Sequence, residues 1–306
     1  MLWHDILIQQ LINGLTLGMV YALMALGYTM VYGIINLINF AHGEIFMVGA
    51  YLAWGLFVSF ASRAQGIGLL FLILAGFIIG MAGCGILGVA IERVAYRPLR
   101  NAPRLAPLIT AIGLSFFLQN AIMLVYGASD KSFPSIFPHY SFTIGRTSVT
   151  GLQILIWAIS IVLMLILHYF IKLSKLGKAL RATSQDLKTA SLMGIDVNRI
   201  ISLCFLLGST LAAAGGVMFG MYYNTINFHD GYIVGLKAFT AAVLGGIGNV
   251  PGAMFGGVVI GLVEGLGAGY ISSQWKNVFA FIILVLILLF KPTGLFGEAG
   301  RVRTKG

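Results

Sequence analysis

Apolar runs of bilayer-crossing length follow one another along nearly the whole chain, and no other feature constrains the fold as much. Stretches near 6–33, 44–61, 67–91, 107–126, 150–171, 200–222 and 252–271 match or approach the ~20 residues a helix needs to cross a hydrocarbon core. Shorter runs lie at 236–249 and 277–291; the first is rich in Gly and Ala and ends at Val250-Pro251-Gly252, so it reads as a broken or tilted span. Only 9% of the 306 residues are charged, 59% are hydrophobic, and the mean hydropathy is +0.96. Soluble domains carry about a quarter of their residues as charged types. So little charge cannot cover a water-facing surface, and lipid tolerates only backbone that satisfies its own hydrogen bonds. The expectation is an all-α, polytopic transmembrane helix bundle with about eight or nine spans, one or two of them broken helices. Nothing polar and long divides the chain, so residues 1–306 read as a single transmembrane domain.

The formal net charge of +10 is not a nucleic-acid footprint, because its distribution is topological. Arg93, Arg97, Arg100 and Arg104 share one short loop; Lys172, Lys175, Lys178, Arg181, Lys188 and Arg199 share another; Lys291, Arg301, Arg303 and Lys305 lie at the C-terminal end. Basic residues clustered beside apolar runs mark cytoplasmic segments. The segments 92–106 and 172–199 are then cytoplasmic, and 127–149 and 223–235 external. The tail after Lys291 is cytoplasmic if 236–249 counts as a crossing, which leaves the N-terminus external. The opening MLWHDILIQQ lacks a basic n-region and a small-residue cleavage site, so the first span is expected to be retained.

Small residues recur every fourth position in three spans: Gly76, Gly80, Cys84 and Gly88; Gly208, Ala212, Gly216 and Gly220; Gly257, Gly261, Gly265 and Gly269. Residues four apart share a helix face, and small ones let backbones meet closely. Tight packing is the plain reading, and sliding surfaces the sharper one. Cys84 and Cys204 sit singly inside apolar runs, as buried small hydrophobes do.

Ionisable residues inside spans are costly and are functional candidates by default. Glu264 shares a face with Gly261 and Gly265 and should point into the bundle, either as a structural hydrogen-bonding group or lining a pathway. Lys237 opens a short span and is expected to snorkel to the interface. Asn36, Asn39, His42 and Glu44 crowd into GIINLINFAHGE between the first two spans. This reads either as an interfacial turn or as irregular backbone facing a cavity on a translocation path. TINFHDG, Thr225 to Gly231, echoes NFAHG on the other side of the membrane, as an inverted repeat would.

The loop 172–199 holds a short helix in outline. Ser184 reads as its N-cap, Asp186 as an acid in its first turn and Gly194 as its C′ terminator, which frames Gln185 to Met193. So short a helix is marginal alone in water and needs a docking partner, the bilayer surface or another protein. Leu187, Ala190 and Ser191 share the face expected to enter a groove.

Absences narrow the chemistry. There is no GxxxxGK[ST] loop, since Gly177-Lys178 lacks the upstream Gly and the following Ser or Thr. There is no HExxH, His42-Gly43-Glu44 has the wrong spacing for two metal ligands, and GGIGNVPG is not GxGxxG. No catalytic constellation, metal site or cofactor is expected on this chain. Energy for uphill transport would come from an ion gradient or another subunit.

Five strings carry a family resemblance: INFAHGEIFMVGAY (Ile38 to Tyr51), ERVAYRPLR (Glu92 to Arg100), AIGLSFFLQN (Ala111 to Asn120), GKALRATSQDLKTASLMGI (Gly177 to Ile195) and KAFTAAVLGGIGNVPGAMFGG (Lys237 to Gly257). They resemble the LivH-type permease subunits of branched-chain amino acid ABC transporters, over nearly the whole chain except 127–149. The resemblance implies a permease forming half of a heterodimeric pore in a bacterial-type inner membrane, with a second, LivM-like permease subunit. It also implies two LivG/LivF-like ATPases that use ATP and Mg, and a periplasmic or extracellular solute-binding protein that delivers leucine, isoleucine or valine. The family's ATPase-contacting segment falls on Gly177–Ile195, which implies coupling roles for Arg181, Ser184, Asp186, Leu187, Ala190 and Gly194. Asn39, His42, Glu44 and Glu264 remain candidates for the path. A permease of the same architecture for urea, short amides or another small solute, and a stand-alone ion-coupled carrier, are the competing readings.

Overall fold

Apolar runs become helices here because lipid offers the backbone no other partner. The computed structural model describes residues 3–35, 37–61, 66–100, 102–103, 105–137, 140–144 and 146–297; Asn36, Arg104, Arg301, Arg303 and Lys305 lie outside them. In chain order the helices are α1 (Trp3–Ile35), α2 (Ala41–Phe60), α3 (Ile67–Ile91), α4 (Leu105–Tyr126), α5 (Gly151–Leu173), α6 (Lys175–Gln185), α7 (Leu187–Leu192), α8 (Val197–Tyr223), α9 (Asp230–Gly245), α10 (Val250–Tyr270) and α11 (Lys276–Phe290). A π-helical turn, Glu92–Tyr96, extends α3. Among the described residues, 8 helical stretches are long and apolar enough to cross a membrane. The short α9 is an additional half-length span.

Two small antiparallel ladders depart from the all-helical expectation. β1 (Lys131–Ser132) pairs with β4 (Thr225–Ile226), and β2 (Ser141–Ile144) pairs with β3 (Thr147–Thr150). Both lie in loops beyond the helix ends, where Thr143, Ile144, Thr147, Val149 and Thr150 supply the β-branched side chains that favour extended chain.

The basic segments gather at one end of the bundle. Arg100 bonds Asn198 across from α3 to α8, Arg181 caps the end of α5, and the backbone of Leu295 and Phe296 bonds the α9 carbonyls of Leu244 and Gly245. The opposite end is aromatic: Trp3 stacks on Tyr270, Trp54 meets Tyr126, and Lys276 lies 5.6 Å from the Tyr223 ring. Trp3 therefore starts at the aromatic end and Lys291 finishes at the basic end. That parity counts the segment through α9 as a crossing, the alternative the sequence left open.

The small-residue ridges set the packing. A Cβ on Gly14 would lie 2.8 Å from the Gly261 carbonyl oxygen, and one on Gly18 would lie 2.8 Å from the Val258 Cα, so α1 and α10 run backbone against backbone. A Cβ on Gly208 would lie 3.2 Å from the Gly27 Cα and one on Gly80 3.3 Å from the Gly49 carbonyl oxygen, and the Cys84 thiol donates to the Ile45 carbonyl at 3.3 Å. Close approach of this kind replaces the hydrophobic drive that lipid cannot supply.

The pairings repeat. α1 packs on α10 as α8 packs on α3, and α2 packs on α3 as α9 packs on α10. Asn39-Phe40 leads into α2 from the basic side and Asn227-Phe228 leads into α9 from the aromatic side. The two helix starts meet, since a Cβ on Gly231 would lie 2.7 Å from the Gly43 carbonyl oxygen. These matched pairings, meeting at the Gly43–Gly231 contact, are ones that an inverted repeat would also give.

Candidate functional site

Two places hold the candidate residues: the loop at the basic end, and the bundle interior where α2 and α9 begin. In the loop, the Ser174 hydroxyl caps α6 by accepting from the Gly177 backbone N–H at 2.8 Å. The Arg181 guanidinium donates to the carbonyls of Ile171 at 2.7 Å and Lys172 at 3.2 Å, which satisfies the last turn of α5. Arg181 thus ties the loop to the bundle.

Ser184 is not the N-cap of the short helix. Its hydroxyl donates back to the Arg181 carbonyl at 2.8 Å inside α6. The cap is Asp186, whose extended backbone (φ −151, ψ 118) ends one helix and starts the next. Its carboxylate accepts from the Lys188 N–H at 2.9 Å and the Thr189 hydroxyl at 2.7 Å. A carboxylate is the stronger acceptor and suits the positive helix start, so the acid two residues on takes the role. The Thr189 hydroxyl, then the Lys188 N–H, hold the Asp186 carboxyl below its ordinary range.

Gly194 terminates α7 as expected. At φ +81 it donates to the Ser191 carbonyl at 3.0 Å while Ile195 donates to that of Ala190 at 3.1 Å, the paired closure of a Schellman end. The expected face is exposed at Leu187 and Ser191 but not at Ala190. Ala190 is turned into the chain and buried, because its small side chain lets α7 rest on α8. Leu192 and Met193, 87% and 79% exposed, are the apolar side chains left outward.

In the interior, Asn39 accepts from the Tyr96 hydroxyl at 2.8 Å through Oδ1. Glu44 accepts from the Ser115 hydroxyl at 3.0 Å through Oε1. The His42 ring lies edge-on to Tyr28, with centroids 4.6 Å apart. Among the described residues, Asn39 Nδ2, His42 Nε2 and Glu44 Oε2 are buried without a hydrogen-bond partner. Glu44 Oε2 sits against the first turn of α9, 2.6 Å from where a Cβ on Gly231 would be. Orphaned polar atoms of this kind are rare and costly.

Glu264 lies apart from that cluster and is saturated. It accepts from the Tyr21 hydroxyl at 2.8 Å and from the Lys237 ammonium at 2.7 Å. Lys237 does not snorkel: it is buried, pairs with Glu264, and lies 5.7 Å from the Tyr21 ring. The pair joins α1, α9 and α10, and the depth of α9 in the bundle leaves its ammonium no route to the interface.

Sequence reasoning missed Ser115 and Gln119, one helical turn apart on the inner face of α4; Gln119 lies 2.6 Å from the His229 ring. A polar pair four apart inside AIGLSFFLQN was the available signal. It also missed Tyr96 and Tyr21, which no local pattern marks. No group of three or more His, Cys, Asp or Glu side chains able to hold a metal occurs among the described residues.

The family model "Branched-chain amino acid transport system / permease component" matches residues 10–288. The chain is 47% identical to the high-affinity branched-chain amino acid transport system permease protein LivH of Escherichia coli K12, over 95% of this chain and 96% of that protein. It is 49% identical to the corresponding protein BraD of Pseudomonas aeruginosa over the same shares. It is 28% identical to the probable branched-chain amino acid transport permease LivH of Methanocaldococcus jannaschii, over 90% of this chain and 88% of that one. No solved structure matches the chain.

Proposed function

This chain belongs to the permease family of branched-chain amino acid transport systems, and from that membership we propose that it is the membrane permease of an ATP-driven importer of leucine, isoleucine and valine. It forms half of a heterodimeric pore with a LivM-like subunit in the inner membrane, with its basic end in the cytoplasm. Two LivG/LivF-like ATPases bind that end, and a solute-binding protein delivers substrate to the aromatic end.

The observation that carries this reading is α7, a capped helix of a single turn and a half at the basic end with Leu192 and Met193 uncovered. A helix this short does not hold itself in water, and exposed apolar side chains outside the membrane mark a docking surface. Nucleotide-driven motion of the ATPases shifts α7 as a rigid body. Ala190 passes the shift to α8, which packs along α1, α2 and α3. Asp186 and Gly194 keep α7 stiff enough to transmit it, and Arg181 anchors the loop to α5.

At the far end of that path lies the Gly43–Gly231 seam. Asn39, His42 and Glu44 stand beside the translocation path in this reading, because opening the seam would give their orphaned atoms water or substrate as partners. Glu264 stays shut and fastens α9 to α1 and α10. Co-purification of the assembled complex tests the docking claim. Leu192→Asp with Met193→Asp should release the ATPases and abolish uptake while the permease stays in the membrane. Full retention of the ATPases in that variant would refute it. An ion-coupled carrier acting alone would instead show uptake without them.

A further inference from the structure

A cleft of about 530 Å³ opens at the basic end between the end of α3 and the first turns of α8. Arg93, Arg97, Arg199 and Ser202 line its polar part together with one carboxylate, Asp196, and Val89 and Leu206 are on its apolar wall. Its floor is built on one buried acid. The Glu92 carboxylate, fully shielded from solvent, accepts from the Ser202 hydroxyl at 2.6 Å and from Arg97 at 3.3 Å, and it pairs closely with Arg100. Arg97 also donates to Ser202 at 3.1 Å. Glu92 therefore fixes the direction of Arg97, an order that a flexible surface arginine lacks.

The charges do not cancel. Asp196 pairs with Arg199 at 2.9 Å, and Glu92 serves Arg97 and Arg100. Three lining arginines against Asp196 leave two positive charges, Glu92 behind them being matched by Arg100, and Arg93 has no hydrogen-bond or ion-pair partner among the described residues. Guanidinium groups present planar forks that match phosphate oxygens. The wall decides which phosphate. Beside the arginines, Ile86 and Val94 on α3 and its π-helical turn are 71% and 79% exposed, which makes a lipid-facing strip running from the charged cleft toward the hydrocarbon core. A soluble anion needs no such strip, whereas an acyl chain does.

We propose that this cleft binds the phosphate of an anionic phospholipid of the cytoplasmic leaflet, with its acyl chain along the α3 strip. Basic pockets between spans at this depth are suited to such headgroups, each arginine contributing a roughly fivefold gain in affinity. The site is separate from α7 and rests only on the basic end facing the cytoplasm.

The test is native mass spectrometry of the assembled complex after reconstitution in nanodiscs of phosphatidylcholine alone and of phosphatidylcholine with an equal part of phosphatidylglycerol. The wild type should retain phosphatidylglycerol selectively. Arg93→Gln with Arg199→Gln should lower that retention by about twenty-fivefold, two such arginine factors multiplied. Lys175→Gln with Lys178→Gln removes equal charge elsewhere on the same end and should leave it unchanged. Equal losses in the two pairs would overturn the site. Displacement of the lipid by inorganic phosphate would overturn the lipid source, and loss of ATPase binding with lipid retention intact would reassign the arginines to the partner. Folding of each variant is read from its monodispersity, and failure of the ATPase-docking claim at Leu192 and Met193 would leave these results unaffected.

Discussion

Glu44 and Glu264 are both buried carboxylates in one lipid-embedded bundle, yet their surroundings are opposite. Glu264 has a partner on each oxygen, Tyr21 and Lys237, and joins three helices. Glu44 has Ser115 on one oxygen and nothing on the other, at a contact between two helix starts made of glycine. A saturated buried pair costs much to break because each charge would be stranded. An unsaturated one already bears that cost in the closed state and relieves it by opening. The bundle should hold at Glu264 and yield at Glu44.

The largest effect should come from stranding a charge. Glu264→Leu leaves Lys237 buried without its carboxylate and should destabilise by about 3–5 kcal/mol, seen as loss of monodisperse protein on detergent extraction. Adding Lys237→Met should restore most of it, since a whole buried pair exchanged for apolar groups is often neutral. If the double variant folds and transports, Glu264 is a fastening. If it folds and fails to transport, the contrast drawn here is wrong. Next comes Gly231→Ala, whose Cβ would crowd the Gly43 carbonyl at 2.7 Å. Overpacking of about 1–3 kcal/mol should appear in thermal unfolding, and uptake should fall further than stability does because the seam is wedged. Glu44→Gln keeps the shape and removes the carboxyl group. Its stability should change by less than about 1 kcal/mol, while uptake in proteoliposomes drops at least tenfold, to ~10% of wild type or less.

The smallest effect lies in the loop. Asp186→Ala removes the cap of α7 and should reduce uptake a few-fold with ATP hydrolysis retained. The sign with pH follows from the direction of its shift. A carboxyl held below its ordinary range contributes above its unfolded value and loses that contribution as pH falls through the lower folded value. Neutral-pH assays therefore see the full cap, and the difference between wild type and variant should vanish only in strong acid.

Much of this was legible in the chain. Run length gave the spans, although the short run read at 236–249 is the helix Asp230–Gly245, begun six residues earlier, and NFAHG and its echo TINFHDG lead into the two helix starts that meet. These succeeded because apolar length and glycine placement are local constraints. Lys237 was misread because its partner lies 27 positions away on another helix, and only packing reveals that α9 begins deep in the bundle. Ser184 was misread because two candidate caps stood two residues apart, and the stronger acceptor won. Ala190 was misplaced on the outward face of α7 because docking onto α8 consumed it, while Leu187 and Ser191 stayed outward. For Lys237 and Ala190 tertiary context overrode a local rule that was sound alone; for Ser184 one local rule prevailed over another.

Hydrogen exchange on the assembled transporter, compared between resting and ATP-hydrolysing states, bears most directly on where the bundle moves. Backbone amides at 40–46 and 227–235 should exchange faster during turnover, while those around Lys237 and Glu264 stay protected. Faster exchange around Glu264 with the Gly43–Gly231 seam still protected would contradict the account.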